Sequence, residues 1–176
     1  MSRPMPRQPV PELNVEIVGG EPWRLSDRSP TQFTMIVAYR GLHCPICKKY
    51  LADLNGRVDD FAEKGIDVVA VSTDPAERAE QTKNDWGLDQ LAVGYGMDIA
   101  TARAWGLYVS RGRGKTSIGV EEPDEFNEPG VFLVRPDGTL YAASISTMPF
   151  ARPHFDEIAG ALDFIMAKDY PARGEA

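Results

Sequence analysis

The chain has 176 residues, 43% of them hydrophobic and 26% charged, enough for one well-buried domain and short for two; collagen, coiled coil and wholesale disorder are excluded. Lys and Arg number 19 against 26 Asp and Glu, a formal net charge of -7, so no basic field gathers phosphates and nucleic acid is not an expected partner. The longest apolar stretches fall far short of the roughly 20 residues needed to cross a bilayer, so no membrane partner is expected either.

In chain order, residues 1–12 read as a proline-rich arm, because Pro4, Pro6, Pro9 and Pro11 fix φ and remove donors, which prevents a regular helix or an interior strand. Such an arm dangles or docks on a partner subunit. Prolines also stand where a signal peptide would need its apolar segment, which predicts a cytoplasmic protein. Leu13 to Val18 and Trp23 to Leu25, around Gly19 and Gly20, predict an opening hairpin. Gln32 to Tyr39 is β-branched, aromatic and nearly continuously apolar, the pattern of a strand covered on both faces.

Beyond it, Cys47, Leu51, Leu54, Val58 and Phe61 recur at spacings of three and four, one buried stripe on a helix that Gly65 ends. Ile66 to Ser72 predicts a second buried strand. Asp74, Pro75 and Glu77 then read as N-cap, first helical residue and capping-box carboxylate of a helix reaching about Trp86. Leu91 to Tyr95 is a short strand and Asp98 to Trp105 a short helix; residues 110–128 read as a polar loop, with Arg111, Arg113 and Lys115 followed by five acids. Val131 to Val134 and Thr139 to Ile145 flank Pro136, Asp137 and Gly138 as an antiparallel hairpin. From His154 to Ala167, Phe155, Ile158, Leu162 and Ile165 mark a terminal amphipathic helix. With no internal repeat, residues 13–170 read as a single α/β domain, a mixed sheet flanked by helices, and residues 171–176 as a tail.

The only cysteines, Cys44 and Cys47, form one CxxC with Pro45 and Ile46 between them, so a scaffold laced by several disulfides is not available. Pro45 suits the first helical position, which puts Cys44 at the N-cap, where unpaired backbone donors and the helix dipole favour a thiolate. Arg40 and His43 would add positive charge nearby, although an ion-pair or surface role is the plainer reading of Arg40. Cys47 starts the buried stripe, which assigns Cys44 as nucleophile and Cys47 as resolving thiol. A structural zinc would need two more ligands, with His43 and His154 the only imidazoles and His43 adjacent to a cysteine, so no metal and no cofactor is expected. Trp86 and Trp105 read as packing residues, and His154 as a surface histidine.

The strand followed by Tyr39 Arg40 Gly41 Leu42 His43 Cys44 Pro45 Ile46 Cys47 resembles the peroxiredoxin-like branch of the alkyl hydroperoxide reductase and thiol-specific antioxidant proteins. So do Val71 to Pro75, Gly130 to Gly138 and Ser146 to Pro153. The resemblance implies a thioredoxin-like fold over about residues 10–168, a redox-active disulfide and a homodimer. It also departs at three places. Where those proteins carry a threonine or serine three residues before the reactive cysteine and a proline seven before it, this chain has Gly41 and Val37; at the place of their activating arginine stands Pro129. Thioredoxin-like proteins have a cis-proline at that last place, and the similarity favours a cis Pro129.

Without that hydroxyl and that arginine, fast peroxide turnover loses its usual electrostatic help, whereas disulfide exchange needs only an accessible thiolate, a resolving thiol and a docking edge. The sequence therefore leads to an antioxidant thiol oxidoreductase working mainly by thiol-disulfide exchange on protein disulfides, restored by a thioredoxin- or glutathione-type reductant. A thiol peroxidase acting on hydroperoxides is the alternative. A non-catalytic binding module using the arm or the 110–128 loop is the reading from a different class.

Overall fold

The computed structural model of the chain describes residues 3–176. Its centre is a seven-stranded mixed sheet in the order β2-β1-β5-β4-β3-β8-β9. The opening hairpin supplies β1 (Asn14–Ile17) and β2 (Trp23–Arg24), and the two buried runs become β3 (Phe33–Ala38) and β4 (Ile66–Val71), paired in parallel from Phe33↔Ile66 to Ala38↔Val71. On the other side of β3 the hairpin β8 (Gly130–Val134) and β9 (Leu140–Ile145) runs antiparallel, while β5 (Ala92–Tyr95) joins β4 to β1.

Alternation along β3 sorts its side chains between two cores, as a period of two requires. Phe33, Met35, Val37 and Tyr39 face α1 (Pro45–Asn55), α2 (Val58–Glu63) and α5 (Phe155–Lys168) through Cys47, Leu51, Leu54, Phe61, Phe155 and Leu162. Ile36 and Ala38 face Trp105, Phe132 and the opening hairpin, on the side of α4 (Ile99–Ala104). Burying each such side chain contributes about 1.5–3 kcal/mol. Trp86 and Trp105 are both buried, against Tyr39 and Phe132 respectively, and His154 is exposed.

Four local expectations are corrected. The single helix through Phe61 is two: α1 ends at Asn55 and Arg57 leaves helical geometry, with φ -115° and ψ 2°, yet the apolar stripe continues across the break into Phe61. Asp74 does not cap α3 (Ala76–Asp85), whose N-cap is Pro75 without a side-chain bond; its carboxylate is drawn into the loop before α1. The stretch 110–128 is not a plain loop but holds a small hairpin, β6 (Val109–Arg111) and β7 (Glu125–Asn127), with Ser110 opposite Phe126. Lastly, the arm does not dangle. It lies against the end of its own β9, where Arg7 N–H donates to the Leu140 carbonyl at 2.8 Å and Leu140 N–H to the Gln8 carbonyl at 3.0 Å. Arg7 also ties the arm to the tail, through the Ala172 carbonyl and Glu175. Residues 1 and 2 of the arm lie outside the described residues.

Candidate active site

The site forms where β3 runs out. Tyr39 keeps its N–H on the Val71 carbonyl at 3.0 Å, after which the chain turns sharply at Gly41, with φ 130°. Leu42 N–H then donates to Asp74 Oδ2 at 2.8 Å, and Cys44 N–H to the Gly41 carbonyl at 3.1 Å. Pro45 opens α1 as expected, since its missing N–H would have no helical acceptor at that position. Cys44 is the N-cap, and its Sγ accepts the Cys47 N–H at 3.2 Å.

That position decides the chemistry of the pair. The Cys44 thiol is lowered to about 7, first by a hydrogen bond from the Cys47 side chain, against the opposing effect of burial, and then by the Cys47 N–H and the charges of Arg40 and Arg152. Cys47 moves the other way: burial, the hydrogen bond to Cys44 and the Cys44 charge hold its thiol well above the ordinary value. One sulfur thus ionises near neutral pH while its neighbour keeps a proton. Both are enclosed, with Cys44 1% exposed and Cys47 0%. The sulfur that ionises more readily is thus enclosed.

Arg40 and His43 stand beside the cysteines in roles that differ from simple charge donors. Arg40 Nε lies 3.1 Å from Glu128 Oε2, and its guanidinium sits 4.9 Å from the centre of the Phe126 ring. It is therefore an ion-pair residue, and part of its field is spent on Glu128. His43 is buried against the same ring, with centroids 4.5 Å apart and Nδ1 3.4 Å from Arg78 Nη2. Burial, then Arg40 and Arg78, lower its pKa to about 4, so the imidazole is neutral at pH 7 and the expected positive charge is absent.

Pro129 is buried directly before β8. The described residues contain no cis peptide bond, which corrects the cis geometry the similarity favoured; the β8 register needs only an extended chain there, and its carbonyl accepts Ser146 N–H at 3.0 Å.

Several residues around the site had no recognised role in the sequence. Asn127, on the three-residue β7, is fully buried; its Oδ1 accepts Thr73 N–H at 3.0 Å and its Nδ2 donates to the Tyr39 carbonyl at 3.0 Å, clamping the ends of β3 and β4 together. Glu128 is 2% exposed and accepts from Ser110 as well as Arg40. Arg78, in the first turn of α3, holds Asp74 Oδ1 at 3.1 Å. Arg152, known only as part of a family-like run before the last helix, places Nη1 3.5 Å from Cys47 Sγ. That run was the one signal the sequence offered for it.

Comparison with known proteins identifies the family and the fold. The AhpC/TSA family matches residues 6–143. No curated protein matches the sequence. Among solved structures, the peroxidoxin BcpB of Mycobacterium tuberculosis aligns with a TM-score of 0.71 at 20% identity, over 93% of this chain and 99% of that one. A peroxiredoxin-like protein from Aquifex aeolicus aligns with a TM-score of 0.72 at 14% identity, over 94% and 90%. The reduced 2-Cys peroxiredoxin of Plasmodium vivax gives 0.73 at 13% identity, over 92% and 82%. The fold is the thioredoxin-like one. With the family matched over most of its length, this chain belongs to the AhpC/TSA family of thiol-dependent oxidoreductases.

Proposed function

We propose that the protein is a thiol peroxidase in which Cys44 reduces a hydroperoxide and Cys47 closes an internal disulfide. The Cys44 thiolate attacks the terminal peroxide oxygen, the O–O bond breaks, and the leaving alkoxide or hydroxide takes up a proton; Cys44 becomes a sulfenic acid. Cys47 sulfur then displaces the sulfenic oxygen, which leaves as water. An external dithiol or glutathione-type thiol returns both sulfurs to the reduced state.

The observation that carries this reading is the combination of a thiol lowered to about 7 with a residue only 1% exposed. A small peroxide needs a stabilised thiolate and little room, whereas a protein disulfide must bring its own sulfur into line with the attacking one. The names of the structural neighbours, peroxidoxin and peroxiredoxin, support the same substrate. Thiol-disulfide exchange as the main activity shares the nucleophile, but it leaned on a cis Pro129 and an accessible Cys44, and the trans bond and the burial weaken both supports.

The experiment mixes fully reduced protein with hydrogen peroxide or with a model disulfide, using Cys47→Ser to hold the first intermediate. Peroxide consumption orders of magnitude faster than by an ordinary thiol, with a Cys44 sulfenic acid captured, is the expected result. Rapid reaction with the disulfide and a slow one with peroxide would return the assignment to disulfide exchange. Retention of the cellular function by Cys44→Ser would point instead to a binding module.

A further inference from the structure

Arg152 is a buried cation with no carboxylate partner among the described residues. It follows Ala151, whose φ of 59° is left-handed backbone, and this turn sends the guanidinium inward, where the residue is 8% exposed. Its Cζ lies 4.0 Å from the centre of the Tyr50 ring, and the Tyr50 hydroxyl donates to the Pro153 carbonyl at 2.7 Å. The segment is thereby fastened to α1 at Arg152 itself and at Pro153. Among the described residues no carboxylate pairs with it, and Nη2 has no partner at all. Nη1 alone is engaged, 3.5 Å from Cys47 Sγ.

A guanidinium does not shed its proton, and an unpaired charge is costly to bury. The Arg152 charge reaches the Cys44 thiolate, but the ionisable group hydrogen-bonded to the guanidinium is the Cys47 sulfur. We propose that Arg152 is a catalytic residue of the second half of the redox cycle, binding the Cys47 thiolate as it forms and attacks the oxidised Cys44 sulfur. This rests on the dithiol cycle proposed above, but not on peroxide being the oxidant.

The order of events follows from the charges. Before oxidation, the Cys44 thiolate is an anion beside Cys47 and helps to keep the Cys47 proton on. Oxidation of Cys44 to the neutral sulfenic acid removes that anion, while Arg152 stays in place. Cys47 then loses its proton next to a fixed cation, its sulfur bonds to Cys44 Sγ, and the sulfenic oxygen leaves with two protons as water. Arg152 thus favours the resolving thiolate at the stage when it is wanted, while at the start its charge acts on the Cys44 thiolate. The guanidinium also lines a groove of about 490 Å³ between α1 and the segment before α5, although its unpartnered Nη2 is itself buried.

The test separates closure from the first reaction. Reduced protein is treated with methyl methanethiosulfonate, which converts Cys44 to its S-methyl disulfide; Cys47 then expels methanethiolate and closes the ring, and acid-quenched mass spectrometry follows both steps. Wild type, Arg152→Met and Arg152→Lys are compared, with Cys47→Ser as the variant that cannot close. The ratio of closure rate to first-step rate should fall about tenfold or more in Arg152→Met, the scale of one charge-assisted hydrogen bond, and recover substantially in Arg152→Lys. An unchanged ratio in the methionine variant, or parallel slowing of both steps without rescue by lysine, would overturn the assignment. Should Arg152→Met fail to fold, Arg152→Gln against Arg152→Lys carries the same comparison. Because this closure involves no peroxide, slow peroxide reduction by the wild type would remove the peroxidase reading alone, whereas absence of closure in the wild type would remove the dithiol cycle and this role together.

Discussion

Gly41 and Asp74 share one space: a Cβ placed on Gly41 would stand 2.7 Å from Asp74 Oδ2, the oxygen that accepts the Leu42 N–H. The glycine at the place where related proteins carry a hydroxyl is therefore matched to a buried carboxylate from the end of β4, and the loop that presents Cys44 hangs on that pair. Gly41→Ala should lose roughly 2–4 kcal/mol of stability, from the left-handed backbone and the overlap together, as read by urea unfolding. Gly41→Thr, which restores the family hydroxyl, should be at least as destabilised and should slow Cys44. A stable Gly41→Thr protein with a faster Cys44 would show that Asp74 yields.

The reactivity of Cys44 should follow a titration with a midpoint near pH 7, against an ordinary value of 9.0, when iodoacetamide alkylation is measured across pH. The largest lowering influence is the hydrogen bond from the Cys47 side chain. Cys47→Ala, which removes that donor, should move the midpoint up toward the ordinary range, and Cys47→Ser, which keeps a donor, should leave it near 7. Identical midpoints in the two variants would assign the lowering to the backbone and the arginines.

Acid should weaken the fold through His43. Its folded pKa, about 4, is depressed below the ordinary 6.5, so as pH falls the unfolded chain takes up a proton before the folded one does. This contribution to stability is present above pH 6.5 and is lost as pH falls toward 4. Between pH 7 and pH 4 the wild type should lose about 2 kcal/mol more than His43→Asn, measured by denaturant titration at each pH. Parallel pH profiles would mean that the imidazole finds solvent in the folded protein.

Arg40→Met should cost roughly 3 kcal/mol, because it leaves the 2% exposed Glu128 without its cation. Adding Glu128→Gln should recover a large part of that loss, and the non-additivity measures the pair. Additive effects would show that the Ser110 hydroxyl, which also bonds Glu128, is sufficient for the carboxylate.

Much of this architecture was legible in the residues, and the reason lies in periodicity. The unbroken apolar runs of β3 and β4 and the three-four spacing from Cys47 to Phe61 are patterns that burial on a sheet or a helix imposes. The N-cap position of Cys44 followed from one proline. What escaped was carried by single contacts between distant segments. Asp74 bears every local mark of a helix cap, and only the Leu42 N–H across the loop explains why it turns away. Asn127 and Glu128 ride on a strand of three residues, too short to show an alternation. The charge of His43 was misjudged because its burial against Phe126, from a segment read as loop, is invisible along the chain.

The arm that closes on β9 has a consequence for how copies of this chain meet. At Leu140 both backbone groups facing outward are already engaged by Arg7 and Gln8, and at the far end of the sheet β2 offers only two residues. A second chain arriving at Leu140 would have to evict the protein's own N-terminal segment before it could add a strand there, since the outward-facing N–H and C=O groups that invite such growth are filled from within.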